Sequence, residues 1–130
     1  RYKQLSVEKD FADDLPKLKT RGTGLNQIWT NLLDNATDAA PDGSKVRIRT
    51  WTEDDAVCVG ISDAGPGIPA EQREMVFQPF YTTKPAGVGT GLGLDIARRI
   101  VTGQYNGTIG FTSEPGRTEF VVRLPQDAGR

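Results

Sequence analysis

The sequence predicts an α+β fold: a two-layer sandwich with helices packed on one face of a mixed, mostly antiparallel sheet. Three observations predict it. Two segments carry apolar residues at three- and four-residue spacing, the mark of helices with one buried stripe. Other segments alternate apolar with polar or small residues and come in pairs joined by short turns. Helices and strands do not alternate regularly, as a doubly wound parallel sheet would require.

Taken in order, Lys3 to Asp10 alternates loosely and suits an edge strand, and Asp13-Asp14-Leu15-Pro16 reads as a turn. After Gly22-Thr23-Gly24, Leu25, Ile28, Trp29, Leu32, Leu33, Ala36 and Ala40 recur with helical spacing, and Pro41-Asp42-Gly43 ends that helix. Val46, Ile48 and Thr50 alternate with Arg47 and Arg49, giving a strand with one wet face. A turn at Glu53-Asp54-Asp55 leads to Val57, Val59 and Ile61, which alternate with small residues and suit a central strand. A short helix is expected over Ala70 to Val76, and a long mobile loop from about Gln78 to Thr90, where Gly and Pro interrupt any period. A helix from about Gly91 to Gly103 turns Leu92, Leu94, Ile96, Ala97, Ile100 and Val101 inward. Thr108 to Ser113 and Thr118 to Leu124 close the chain as a hairpin.

Composition narrows the chemistry. A chain of 130 residues fits one domain, 1–130, with one modest core. Sixteen basic residues against seventeen acidic ones, with no basic cluster, argue against a nucleic-acid surface. No apolar run approaches the roughly 20 residues of a membrane helix, so no direct membrane contact is expected. The single cysteine, Cys58, allows no internal disulfide and suits a reducing compartment. The only methionine is Met75, so Arg1 is not a translation start and a longer parent chain is expected. The chain has no histidine, which excludes His-based metal sites and Ser-His-Asp or Cys-His catalysis within it.

Three features carry the remaining chemistry. At about 100° per residue, Asn31, Asn35 and Asp38 fall within an arc of about 60° beside the apolar stripe of the first helix. Asparagine is a poor mid-helix residue. The row reads either as a solvated face or as oxygen ligands for a hard cation such as Mg²⁺. Asp63-Ala64-Gly65-Pro66-Gly67-Ile68-Pro69 follows a strand directly. It is either a common Asp-Gly turn or a receptor for adenine, in which the carboxylate accepts the exocyclic amine and the glycines admit the flat ring. Gly87-Val88-Gly89-Thr90-Gly91-Leu92-Gly93-Leu94 precedes a helix and exposes amides where a phosphate can sit, or else is a flexible linker. It fits neither the dinucleotide-binding pattern nor the P-loop.

Order and spacing add what each feature lacks alone. Asn-Leu-Leu-Asp-Asn-Ala (31–36), Asp-Ala-Gly-Pro-Gly-Ile-Pro (63–69), Phe-Gln-Pro-Phe-Tyr-Thr-Thr-Lys-Pro (77–85) and Gly-Thr-Gly-Leu-Gly-Leu (89–94) resemble the N, G1, F and G2 boxes of sensor histidine kinases. The resemblance runs from about Leu25 to Pro125 and includes Ser-Glu-Pro-Gly-Arg-Thr-Glu-Phe (113–120). It implies the Bergerat-type ATP-binding fold shared with type II topoisomerases and mismatch-repair ATPases, with ATP and Mg²⁺ as cofactors.

By that resemblance Asn35 looks like the Mg²⁺ ligand, and Asn31 like the residue that helps place the γ-phosphate and its metal. Asp63 resembles the adenine-recognising carboxylate, with Gly65 and Gly67 shaping its pocket and Thr118 supporting it from the last strand. Gly89, Gly91 and Gly93 resemble the phosphate loop, with Thr90 and Leu92 between them. Lys84 is similar to a lid lysine that reaches the γ-phosphate, beside Thr83. The chain departs from the family at Asp38, where many members carry a cation; Lys84 is the expected substitute. It has Gln104-Tyr105-Asn106-Gly107 where members usually have His-Gly-Gly, and Asn31 where hydrolytic relatives place a Glu.

The implied reaction is transfer of the ATP γ-phosphoryl group to a histidine on a separate dimerisation domain, with a response regulator downstream. A cytoplasmic location follows, either free or as the cytoplasmic part of a membrane-bound sensor. An anti-sigma-factor serine kinase uses the same fold, but its usual Glu at position 31 is absent. A regulatory nucleotide-binding module without transfer activity is the rival of another class.

Overall fold

The computed structural model describes residues 6–10, 25–78 and 93–125. Its elements run β1 (Ser6–Asp10), α1 (Leu25–Ala39), β2 (Lys45–Glu53), β3 (Ala56–Asp63), α2 (Gly93–Gln104), β4 (Thr108–Glu114) and β5 (Arg117–Pro125). The sheet order is β1-β2-β3-β5-β4. β1 joins β2 in parallel, and every other pairing is antiparallel. The expected edge strand, central strand and closing hairpin are all present.

Register explains the two faces. Ile48, Ile61, Phe120 and Phe111 form one row across four strands, and Thr50, Val59, Val122 and Ile109 the next. These apolar rows meet Ile28, Leu32 and Ala36 of α1 and Val101 of α2 in one core, which Tyr105 joins. Both helices therefore lie on the same side of the sheet. Phe111 and Phe120 stack with ring centroids 5.3 Å apart, and Phe77 meets Phe120 edge-on at 6.0 Å.

The opposite face carries Arg47, Arg49, Trp51, Glu119 and Arg123. Arg49 forks onto Glu119 with bonds of 2.7 and 2.8 Å and lies 4.2 Å over the Trp51 ring. Gly60 makes room for the fork, since a Cβ there would stand 2.6 Å from Glu119 Oε2. The Arg49 hydrogen bond, with the charges of Arg49, Arg117 and Arg47, holds the Glu119 carboxyl below its ordinary range against the opposing effect of burial.

The turns follow side-chain chemistry. The β2–β3 hairpin turns on Asp54 (φ 50°) and Asp55 (φ 63°), left-handed positions that Asp tolerates better than most residues. Beyond α1, Ser44 closes back onto the Pro41 carbonyl through its amide and its hydroxyl. Asn106 (φ 52°) reverses the chain after α2, and the Gly107 amide returns to the Val101 carbonyl at 2.9 Å.

One expected element is corrected. The helix over Ala70 to Val76 is a 3-10 turn, Ala70–Gln72, followed by further turns. Its amides bond three residues back, from Gln72 to Pro69, Arg73 to Ala70, Met75 to Gln72 and Gln78 to Met75. Only Val76 is buried in the stretch. A short helix without an apolar stripe has too little burial to offset the ordering of its backbone.

Candidate functional site

Asp63 is the last residue of β3, the strand at the centre of the sheet, and it is 4% exposed. Its Oδ1 accepts the Gly65 amide at 2.8 Å, a local turn that fixes the carboxylate. Thr118, also 4% exposed, stands directly opposite on β5, and Ser113 stands opposite Thr118 on β4. Asp63, Thr118 and Ser113 thus form one polar row at the sheet end, on the face that carries the helices.

The loop after Asp63 is sewn to its surroundings. A Cβ on Gly65 would lie 2.7 Å from the Ala39 carbonyl, so only glycine lets the loop lie against the end of α1. Gly67 has φ +90°, and a Cβ there would lie 2.7 Å from the Glu114 carbonyl. The Gly116 amide donates to the Gly65 carbonyl at 3.0 Å. Arg73 donates from Nη2 to the Ser113 carbonyl at 2.6 Å and from Nε to the Ile68 carbonyl at 3.2 Å. Gly65 and Gly67 let the loop take this path because backbone passes where their side chains would be.

About two turns back along α1 from Ala39, Asn31 Nδ2 donates to the Gly93 carbonyl at 3.0 Å, and Asn31 Oδ1 accepts from Gln27 Nε2 at 2.9 Å. The last glycine of the glycine-rich motif is therefore tied to α1. Asn35 lies half-buried one turn on, and Asp38 is exposed one turn further. From Asn31 to Ala39, α1 covers about 12 Å, with Gly93 at one end and the Asp63 loop at the other. Thr83, Lys84, Gly89, Thr90, Gly91 and Leu92 lie outside the described residues, as does nearly all of the expected loop over 78–90.

Two polar residues, Asp95 and the half-buried Ser113, were not anticipated. Asp95, in the first turn of α2, is 3% exposed, and its Oδ2 lies 2.7 Å from Arg99 Nη2. Only the four-residue spacing to Arg99 hinted at the pair. Ser113, whose hydroxyl accepts the Ile68 amide at 2.7 Å, gave no hint, since its role depends on pairing between strands.

The family model for histidine kinase-, DNA gyrase B- and HSP90-like ATPases matches residues 20–128. The chain belongs to this ATPase family. Within the family its likeness is to the histidine kinases. It is 36% identical to the sensory histidine kinase/phosphatase NtrB of Klebsiella oxytoca, over 93% of the chain and 37% of the relative. It is also 36% identical to the sensor kinase CckA of Brucella abortus, over 95% of the chain and 15% of the relative. The chain thus spans well under half the length of these relatives. Among solved structures, the catalytic domain of the histidine kinase ThkA superposes with TM-score 0.84 at 29% identity, over 95% of this chain and 80% of that one. The mycobacterial sensor histidine kinase MprB gives 0.81 at 29%, over 95% and 83%. This ATPase-family chain is a catalytic, ATP-binding domain of the histidine kinase type, with the Bergerat fold of those structures.

Proposed function

We propose that this domain binds Mg-ATP and donates the γ-phosphoryl group to a histidine on a separate dimerisation domain, with a response regulator receiving the phosphoryl group in turn. The observation that carries the reading is the buried Asp63 carboxylate, set at a strand end by the Gly65 amide and rowed with Thr118. A carboxylate has about four lone-pair sites, so Asp63 can hold the Gly65 bond and accept an adenine amine as well. Guanine would turn its O6 acceptor toward that carboxylate.

The ion has a fitting donor set. Asn35 offers an amide oxygen at mid-α1, with no side-chain hydrogen bond to any described residue, and a hard cation takes amide oxygens readily. Bound there, Mg²⁺ would supply neutralising charge to the phosphates. The chain's own residues orient the substrate. Asp63 fixes the base, Asn31 couples α1 to the entry of α2, and the amides and Lys84 of the 84–93 segment would meet the phosphates. In the transfer, the bond from the γ-phosphorus to the ADP oxygen breaks as a bond to the imidazole nitrogen forms. Positioning and charge stabilisation supply most of the rate in such reactions. We place the domain in the cytoplasm, where ATP is available.

Incubation with labelled ATP tests the transfer. The chain alone should take up no acid-labile, base-stable label, whereas a histidine-bearing dimerisation domain from the parent protein, added separately, should. Label on the chain itself would contradict the reading. Tight ATP binding without label on the added domain would favour a regulatory module.

A further inference from the structure

The Asp63 row holds a third member whose part is not explained by packing. Ser113 Oγ accepts the Ile68 amide at 2.7 Å and stands 2.7 Å from Thr118 Oγ1. Ser113 and Thr118 are direct partners across β4 and β5, and Thr118 and Asp63 across β5 and β3. Each hydroxyl has one proton. The Ser113–Thr118 bond uses one of the two, and the other must point elsewhere.

Two arrangements satisfy the short contact. If Thr118 donates, Ser113 Oγ accepts twice and its own proton is left to solvent at this half-buried position. If Ser113 donates, its oxygen takes the Ile68 amide, its proton goes to Thr118, and both its roles are filled. The Thr118 proton is then turned away from Ser113, toward the Asp63 side of the row, where the base would lie. The Ile68 amide and the Asp63 charge, on opposite ends of the row, favour the same direction.

We propose that Ser113 is a positioning residue that fixes the Thr118 hydroxyl as a donor into the pocket, so that Asp63 and Thr118 together read adenine as an acceptor beside a donor. Adenine presents an amine flanked by ring-nitrogen acceptors, which matches that pair. Guanine presents O6 beside a ring N–H, which opposes both. The inference rests on the adenine reading of Asp63 and adds the group that sets the second half of the code.

Affinities of the chain for ATP, 1-deaza-ATP and 7-deaza-ATP test it. Ser113→Ala should weaken ATP binding by about three- to tenfold. The loss should shrink to within about twofold against 1-deaza-ATP, which lacks the ring nitrogen that guanine carries as N–H, and persist against 7-deaza-ATP. Ser113→Thr, which keeps the hydroxyl, should restore ATP affinity. Ser113→Cys, close in shape with a weak donor, carries the same test should the alanine variant not fold. An equal loss against all three nucleotides would mean that Ser113 only holds the 65–69 loop, and the inference would be wrong. No loss against ATP would also overturn it. Asp63→Asn separates the two levels. If that variant weakens ATP and Ser113→Ala does not, only the Ser113 inference falls; if neither matters, the adenine reading falls as well.

Discussion

Asp63 and Asn35 are the residues on which the nucleotide reading turns. Asp63→Asn retains an acceptor for the Gly65 amide, so the turn and the apo melting temperature should change little. It replaces the carboxylate that would accept the adenine amine. Losing one charge-assisted hydrogen bond costs about 1.5–3 kcal/mol, which calorimetry should read as a loss of ATP affinity of roughly tenfold or more. Asn35→Ala should keep α1, since alanine is the better helix former, yet weaken the Mg²⁺-dependent part of ATP binding. A Mg²⁺ titration that overlays the parent's would place the ion elsewhere. These two residues were legible in the sequence because each is locally odd: a carboxylate between a strand and two glycines, and an asparagine in mid-helix. Ser113 and Asp95 were not. A serine in a strand and an acid in a first helical turn are both ordinary, and only the fold shows that Ser113 meets Thr118 and that Asp95 is buried.

The elements were read from periodicity, which succeeds where one face is buried. α1, α2 and the four antiparallel strands each show it, and the structure places their apolar positions in one core. The stretch 70–76 has no such stripe, and its composition did not separate a helix from a run of turns. Glycine in the Asp63 loop is a demand of the elements on either side. Gly67→Ala adds a Cβ at φ +90° against the Glu114 carbonyl, and left-handed backbone alone costs about 1–2 kcal/mol. The melting temperature should fall by several degrees, and ATP affinity should fall with it because the loop shifts. Unchanged melting would show that the loop yields without strain.

For the whole molecule, the charged face of the sheet makes stability depend on acid. The Glu119 carboxyl is held below its ordinary range, first by its hydrogen bond to Arg49. A depressed carboxyl contributes stability that is present above its unfolded value, about 4.3, and is lost as pH falls through the folded value. Glu119→Gln should therefore cost about 1–3 kcal/mol at pH 7 in urea unfolding. The gap to the parent should close in stronger acid. A gap of equal size at both pH values would show that shape, not charge, sets Glu119's contribution. The family and its fold were legible because four motifs fall in order. The way α1 joins the Asp63 loop at Ala39 to Gly93 through Asn31 was not, because it joins residues 31 and 93, far apart in the chain.

The most direct measurement is titration calorimetry of the chain with ATP and with GTP, each with and without Mg²⁺. Binding of ATP that strengthens with Mg²⁺ and exceeds GTP binding by tenfold or more, about 1.4 kcal/mol, is the expected result. No heat with ATP, or equal affinity for ATP and GTP, would contradict an adenine pocket built on Asp63.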